Sequence, residues 1–129
     1  MQIKSGIDII EVDRIKKSIE ELGDNFINRI YTEEENKYCF SKNKNKYQHY
    51  AARFAVKEAT FKAISTLIED KYSISWKNIE TVNADNGKPI IKFIALDKKV
   101  EKELNKIISI DVSISHIKEY AIASVNILI

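Results

Sequence analysis

A single cysteine, Cys39, occurs in the 129 residues, so no disulfide can close within the chain, and no Cys-x-x-Cys or His/Cys cluster is available for zinc. A reducing compartment, the cytoplasm, is expected. Three glycines and one proline leave little material for linkers, and no stretch repeats, so one domain over residues 1–129 is expected. No apolar run approaches the roughly 20 residues of a membrane span, and the opening MQIKSGIDII lacks the apolar segment of a secretory leader. Membrane association is not expected. An excess of one charge is missing too: 21 Lys and Arg stand against 19 Asp and Glu, for a net charge of +2. That balance is a poor footprint for nucleic acid, and any acidic partner has to be met locally.

What is present is a chain 44% hydrophobic and 31% charged, suited to a water-exposed fold with a real core but small enough to gain from a subunit partner. Its strongest helix signal is RFAVKEATFKAI, Arg53 to Ile64. Ala52, Val56, Ala59 and Ala63 recur at helical spacing and make a small-residue stripe that lets another backbone approach closely. Phe54, Glu58, Phe61, Lys62 and Ser65 gather on the opposite side, which sets a carboxylate among aromatic rings, where it needs a partner. A Glu-to-Lys pair at i,i+4 is common on helix surfaces and contributes only about 0.2–0.5 kcal/mol. Its meaning depends on the rest of the chain.

In chain order, Ile3, Ser5, Ile7 and Ile9 alternate with Lys4, Gly6, Asp8 and Ile10, which predicts a strand whose first set faces the core and whose Asp8 points away from it. Gly6 on the Asp8 face suggests that something approaches there. Val12, Ile15, Ile19 and Leu22 predict a helix ended by Gly23. Asp24 or Asn25 is expected to cap a short segment to Ile30, and Thr32 with Glu35 forms a capping box for a helix to about Phe40. SKNKNK, Ser41–Lys46, is a polar loop. The central helix starts between Tyr47 and Tyr50 and, with no glycine or proline to stop it, is expected to reach Leu67 or Ile68. Beyond Ser73 the period becomes strand-like. A hairpin turns at Asn86-Gly87, with Pro89 at a strand start. Asp97 caps a further helix, and two strands, Ile110–Ser115 and Tyr120–Leu128, close the chain with His116 at the end of the first. The fold class is α+β, antiparallel hairpins packed against a long central helix.

Asp8 and Glu58 read as the two carboxylates outside obvious solvated faces. Oxygen donors without Cys or His suit a hard cation, and Mg2+ keeps several waters while joining one or two carboxylates to substrate phosphates. Lys62, one turn past Glu58, can neutralise a phosphate, with Arg53, Lys88 and His116 as further donors. Phosphoryl or pyrophosphate chemistry follows from these residues, and no finer reading does.

Four segments then carry a resemblance: GIDIIEVDRI (Gly6–Ile15), RFAVKEATFKAI (Arg53–Ile64), NGKP (Asn86–Pro89) and SISHIKEYA (Ser113–Ala121). Together they resemble the holo-[acyl-carrier-protein] synthases, the short group of 4'-phosphopantetheinyl transferases. The resemblance runs the length of the chain, and the first two motifs in that order are its specific part. It implies the 4'-phosphopantetheinyl transferase-like fold and an enzyme that moves the phosphopantetheine arm of coenzyme A onto a serine of apo acyl carrier protein, releasing adenosine 3',5'-bisphosphate. By motif match Asp8 and Glu58 hold Mg2+ on the coenzyme A pyrophosphate, and Lys62 stabilises charge there. Arg53, Lys62, Lys88 and His116 hold the nucleotide. Glu58, His116 or a water on the cation takes the serine proton. Arg14 and Lys17 on the first helix meet the acidic carrier protein, and the resemblance further implies a homotrimer with sites at subunit interfaces and a role in fatty acid biosynthesis.

Some positions depart from the family pattern. Lys4 stands where glycine is frequent, Asp111 where histidine is common, and Ser65-Thr66-Leu67 replaces a glycine-containing segment. Glu20, Glu21 and Asp24 repel an acidic partner, so the expected docking footprint is either shorter or shifted toward Arg29. Two other readings stand beside this one. The first is an RNA-binding module using Lys42–Lys46 with Tyr47 and Tyr50; the second is a Mg2+-dependent hydrolase that cuts a pyrophosphate with water.

Overall fold

Ala52, Val56, Ala59 and Ala63 are all buried, and along this stripe helix α4 (Lys46–Ile64) lies against strand β1 (Ile3–Glu11) at backbone contact. In the computed structural model, which describes Met1–Ile129, a Cβ added to Gly6 would collide with the Ala59 carbonyl oxygen and stand 2.8 Å from the Ala63 nitrogen. Only glycine fits there. What approaches the Gly6 face is therefore the central helix itself.

That contact inverts the expected orientation of β1. Gly6 is buried and Asp8 and Ile10 are partly covered beneath α4, whereas Ile7 is 58% and Ile9 62% exposed. Close packing of a helix on a strand needs small residues at the crossing, so the glycine face went inward and the isoleucine face outward. Asp8 consequently points toward the helix and not away from it.

β1 pairs antiparallel with β5 (Tyr120–Leu128), which pairs antiparallel with β4 (Ser109–His116), giving the order β1-β5-β4. The register sets Asp8 opposite Ala123, and Ala123 opposite Ile114, on the side covered by α4. Val112 faces inward between exposed Asp111 and Ser113, as the alternation predicts.

Helix α1 (Val12–Leu22) ends at Gly23, whose φ is 57°. Gly23 also serves as N-cap of α2 (Asp24–Ile30), so Asp24 is that helix's first residue and not its cap. Helix α3 (Glu33–Phe40) opens on the expected capping box between Thr32 and Glu35. A 3-10 turn, Asn43–Asn45, then leads into α4. α4 stops at Ile64, short of Leu67, because the Ser65 hydroxyl donates to the Lys62 carbonyl at 2.8 Å and the chain turns through Thr66 and Leu67. A hydroxyl ends the helix where no glycine is present.

Two 3-10 turns, Lys71–Ser73 and Trp76–Asn78, lead to the hairpin of β2 (Ile79–Asn83) and β3 (Pro89–Phe93). Ala84 still bonds Lys88 across it, so the loop proper is Asp85-Asn86-Gly87, with Gly87 at φ 84°. Asp97 caps α5 (Lys98–Leu104) by accepting from the Val100 N–H at 2.9 Å. The architecture is α+β, with antiparallel strands around a long central helix.

Candidate active site

Glu58 and Lys62 leave the outer side of α4, one turn apart, as the sequence predicts. Asp8 comes up from β1 beside them: its Oδ1 lies 3.4 Å from the Lys62 ammonium, which also donates to the Ile7 carbonyl at 2.8 Å. One ammonium thus ties the strand that carries Asp8 to the helix turn that carries Glu58. Asp8 has no other side-chain partner, and its side chain is 18% exposed. Glu58 Oε1 accepts from the Trp76 indole N–H at 3.1 Å, and its Oε2 has no protein partner.

Beside Glu58 opens a groove of 1010 Å³, walled by Phe61, Ile68, Ile74 and Trp76. Ser65, which ends α4, lines it as well. Its walls are mixed, because Glu69, Asp70, Lys71 and Ser75 line it together with Glu58.

The remaining nominated residues lie elsewhere in the protomer. Arg53 is buried, with its guanidinium 3.9 Å above the Tyr38 ring and its Nε without a partner. His116 Nδ1 bonds the Gln48 side chain at 2.8 Å, and its ring packs edge-on against His49 at 4.9 Å. His49 precedes Glu58 by nine residues, about 13 Å of helix rise, so His116 does not join Glu58 within one protomer. Burial, then the proximity of His116, Lys42 and Arg53, lowers the His49 pKa to about 4. Lys88 pairs with Asp111 at 2.7 Å and holds that carboxyl below its usual range. Asp111 lies on the face of the sheet opposite Asp8.

On α1, Lys17 bonds Asp13 at 3.0 Å, which raises its pKa, so its charge is partly spoken for. Arg14 is exposed. Arg29 on α2 lies 5.8 Å from the Trp76 ring centre.

Three residues escaped the sequence reading. Lys57, next to Glu58, is fully buried, pairs with Glu35 at 2.7 Å and donates to the Trp76 carbonyl at 2.8 Å and to the Ile79 carbonyl. Burial lowers its pKa against the opposing pull of Glu35. Glu35, expected only as a capping residue, is also buried and accepts from the Thr32 and Thr81 N–H groups. Asp8 and Glu58 are therefore not the only carboxylates off the solvated surface. Trp76, the third, is the only tryptophan in the chain, a rarity that was its one sequence signal.

The RNA-binding alternative loses its aromatic platform here. Tyr50 is buried with its hydroxyl on Asn36, and Lys42 and Lys46 already lie over the Tyr38, Phe40 and Tyr47 rings. Of the two tyrosines in that reading, Tyr50 is closed to bases and Tyr47 is flanked by Lys16 and Lys46.

No group of three or more His, Cys, Asp or Glu side chains gathers to cage an ion. Two hard oxygen donors, each with one oxygen free of protein partners, suit a cation that completes its shell with water and phosphate.

Comparison with known proteins fits this geometry. Residues 4–125 match the family model described as the 4'-phosphopantetheinyl transferase superfamily. A holo-[acyl-carrier-protein] synthase of Thermodesulfovibrio yellowstonii is 43% identical over 122 residues, covering 95% of each chain. The crystal structure of a holo-(acyl-carrier-protein) synthase from Bacillus anthracis, solved with CoA (3',5'-ADP), superposes with a TM-score of 0.72 at 38% identity, covering 96% of this chain and 94% of that one. The Helicobacter pylori enzyme in complex with coenzyme A gives a TM-score of 0.78 at 28% identity, over 96% and 99% of the two chains. The strand carboxylate, the KEA helix with its paired lysine, and likeness over nearly the whole length lead to one conclusion: the chain belongs to the holo-[acyl-carrier-protein] synthase family of 4'-phosphopantetheinyl transferases.

Proposed function

We propose that this protein, acting as a single domain over residues 1–129, transfers the 4'-phosphopantetheine arm of coenzyme A to a serine of apo acyl carrier protein. Adenosine 3',5'-bisphosphate leaves, and the product serves fatty acid biosynthesis in the cytoplasm. The observation that carries the reading is the Lys62 ammonium 3.4 Å from Asp8 and one helical turn from Glu58, the last of which lines the adjoining groove.

Each group has a task fitted to its surroundings. Asp8 and Glu58 hold Mg2+, which when bound supplies charge neutralisation on the coenzyme A diphosphate. Lys62 holds the diphosphate oxygens, where charge grows as the nucleotide departs. The groove walled by Phe61, Ile68, Ile74 and Trp76 takes the pantetheine arm and so positions the phosphorus it carries. The serine oxygen, its proton passing to Glu58 or to a water beside it, attacks the phosphorus nearest the pantetheine, and the bond from that phosphorus to the bridging oxygen breaks, so that adenosine 3',5'-bisphosphate departs with this oxygen. Arg53, Lys88 and His116 serve the nucleotide end, away from the reacting phosphorus. Arg14 and Arg29 meet the carrier protein, with Lys17 contributing less because Asp13 shares its charge.

The same reading includes a homotrimer with sites at subunit interfaces. The exposed Ile7 and Ile9 face of β1 offers apolar surface for a second copy. In that assembly Lys88 of one subunit serves the nucleotide end of a neighbour's site.

Intact-mass spectrometry of purified apo acyl carrier protein incubated with this protein, coenzyme A and Mg2+ tests the reaction. A gain of one phosphopantetheine per carrier is expected. Coenzyme A cleaved at an equal rate without carrier, with the carrier mass unchanged, would assign the protein to pyrophosphate hydrolysis instead.

A further inference from the structure

Trp76 is held from several directions around a single outgoing hydrogen bond. Its carbonyl accepts from the buried Lys57 ammonium at 2.8 Å, and Lys57 is itself fixed by Glu35 at 2.7 Å. Its ring stacks on Phe54, with centroids 6.4 Å apart and planes at 28°, while the Arg29 guanidinium lies 5.8 Å from its centre. Its N–H goes to Glu58 Oε1. Lys57 and Glu58 are consecutive, so α4 grips the backbone of Trp76 with one residue and receives its side chain with the next.

We propose that Trp76 is a positioning residue: it fixes the Glu58 carboxylate so that Oε2 faces the divalent cation. The proposal rests on the reading of Glu58 as a cation ligand. An indole is a neutral group that only donates, so it can orient one carboxylate oxygen without bringing a positive charge that would compete with the cation, as an ammonium would. Partners of this kind set the direction of metal-binding side chains, and their loss typically lowers metal affinity about 10–100-fold. Phe54 and Arg29 restrain the ring, and the Lys57–Glu35 pair restrains the backbone, so the donor has little freedom to follow Glu58 if that side chain moves.

The test uses the full-length protein and its Trp76→Phe variant, which keeps a ring between Phe54 and Arg29 and deletes the N–H. Free Mn2+ is followed by electron paramagnetic resonance in the presence of coenzyme A, alongside the Mg2+ dependence of transfer. Trp76→Phe should need about tenfold more Mn2+ for half-saturation, with transfer restored toward the parent rate at saturating Mg2+. That recovery distinguishes an orienting role from a packing defect. Mn2+ binding equal to the parent in Trp76→Phe, with binding lost in Glu58→Gln, would overturn the role of Trp76 and leave the metal assignment standing. Parental binding in Glu58→Gln would remove the metal assignment and this inference with it. Should Trp76→Phe fail to fold, the parent protein decides, because its only tryptophan reports on the site. Its emission should change saturably with Mg2+ in the presence of coenzyme A and stay constant in Glu58→Gln, and a constant signal in both overturns the proposal.

Discussion

Lys57 and Glu58 are neighbours in sequence, and the fold treats their charges in opposite ways. Lys57 is fully buried, and its ammonium is shared among Glu35 and the Trp76 and Ile79 carbonyls, so its partners all lie inside the chain. Glu58 is half-covered and keeps one oxygen free, and Asp8 across from it has only Lys62. A buried charge persists only when paired and hydrogen-bonded. A carboxylate with an unpartnered oxygen has capacity left for water or a ligand. The first pair serves stability and the second is the one the proposed reaction would use, with Trp76 joining them.

Substitutions can break that contrast, and the largest effect is expected on the buried side. Lys57→Met strands Glu35 without its cation and should cost about 3–5 kcal/mol, seen as a lower midpoint in urea. Glu58→Gln should leave stability within about 0.5 kcal/mol of the parent while lowering transfer about 100-fold or more. Equal stability losses in the two would erase the distinction.

Gly6→Ala sharpens the same comparison by moving the strand that carries Asp8. The new Cβ meets helix backbone, which cannot rotate aside, so β1 and α4 must separate at a cost of about 1–3 kcal/mol. Because Asp8 lies two residues further along the same face, transfer should fall more than the stability loss alone explains. Activity measured well below the melting temperature checks this.

The smallest effect concerns the far end of α4. Burial and the neighbouring His116 lower the His49 pKa from an ordinary 6.5 to about 4, so between those values the unfolded chain binds a proton that the folded chain does not. Stability contributed by this site is therefore lost as pH falls through that window. His49→Gln should flatten the decline in melting temperature between about pH 6.5 and 4.5, whereas an unchanged slope would show that His49 does not set it.

Much of this arrangement was legible in the residues. The alanine stripe on α4, the Thr32 and Glu35 capping box and the Asp97 cap act within a turn or two of helix, where sequence spacing reports contact directly. The orientation of β1 was not legible. Alternation names two faces without saying which is covered, and isoleucine lost the inner side because a helix backbone needed the glycine there. Glu35 looked complete as a cap because its partner Lys57 stands 22 residues away, a separation that no local pattern encodes. Trp76 was hidden for the same reason: its bond to Glu58 depends on a turn that folds back over α4.

Calorimetric titration of coenzyme A into the full-length protein, with and without Mg2+, puts the paired carboxylates to the most direct test. In the parent protein Mg2+ should tighten coenzyme A binding about tenfold, and in Asp8→Asn it should tighten it little or not at all. The same Mg2+-dependent tightening in Asp8→Asn as in the parent would contradict a cation held between Asp8 and Glu58.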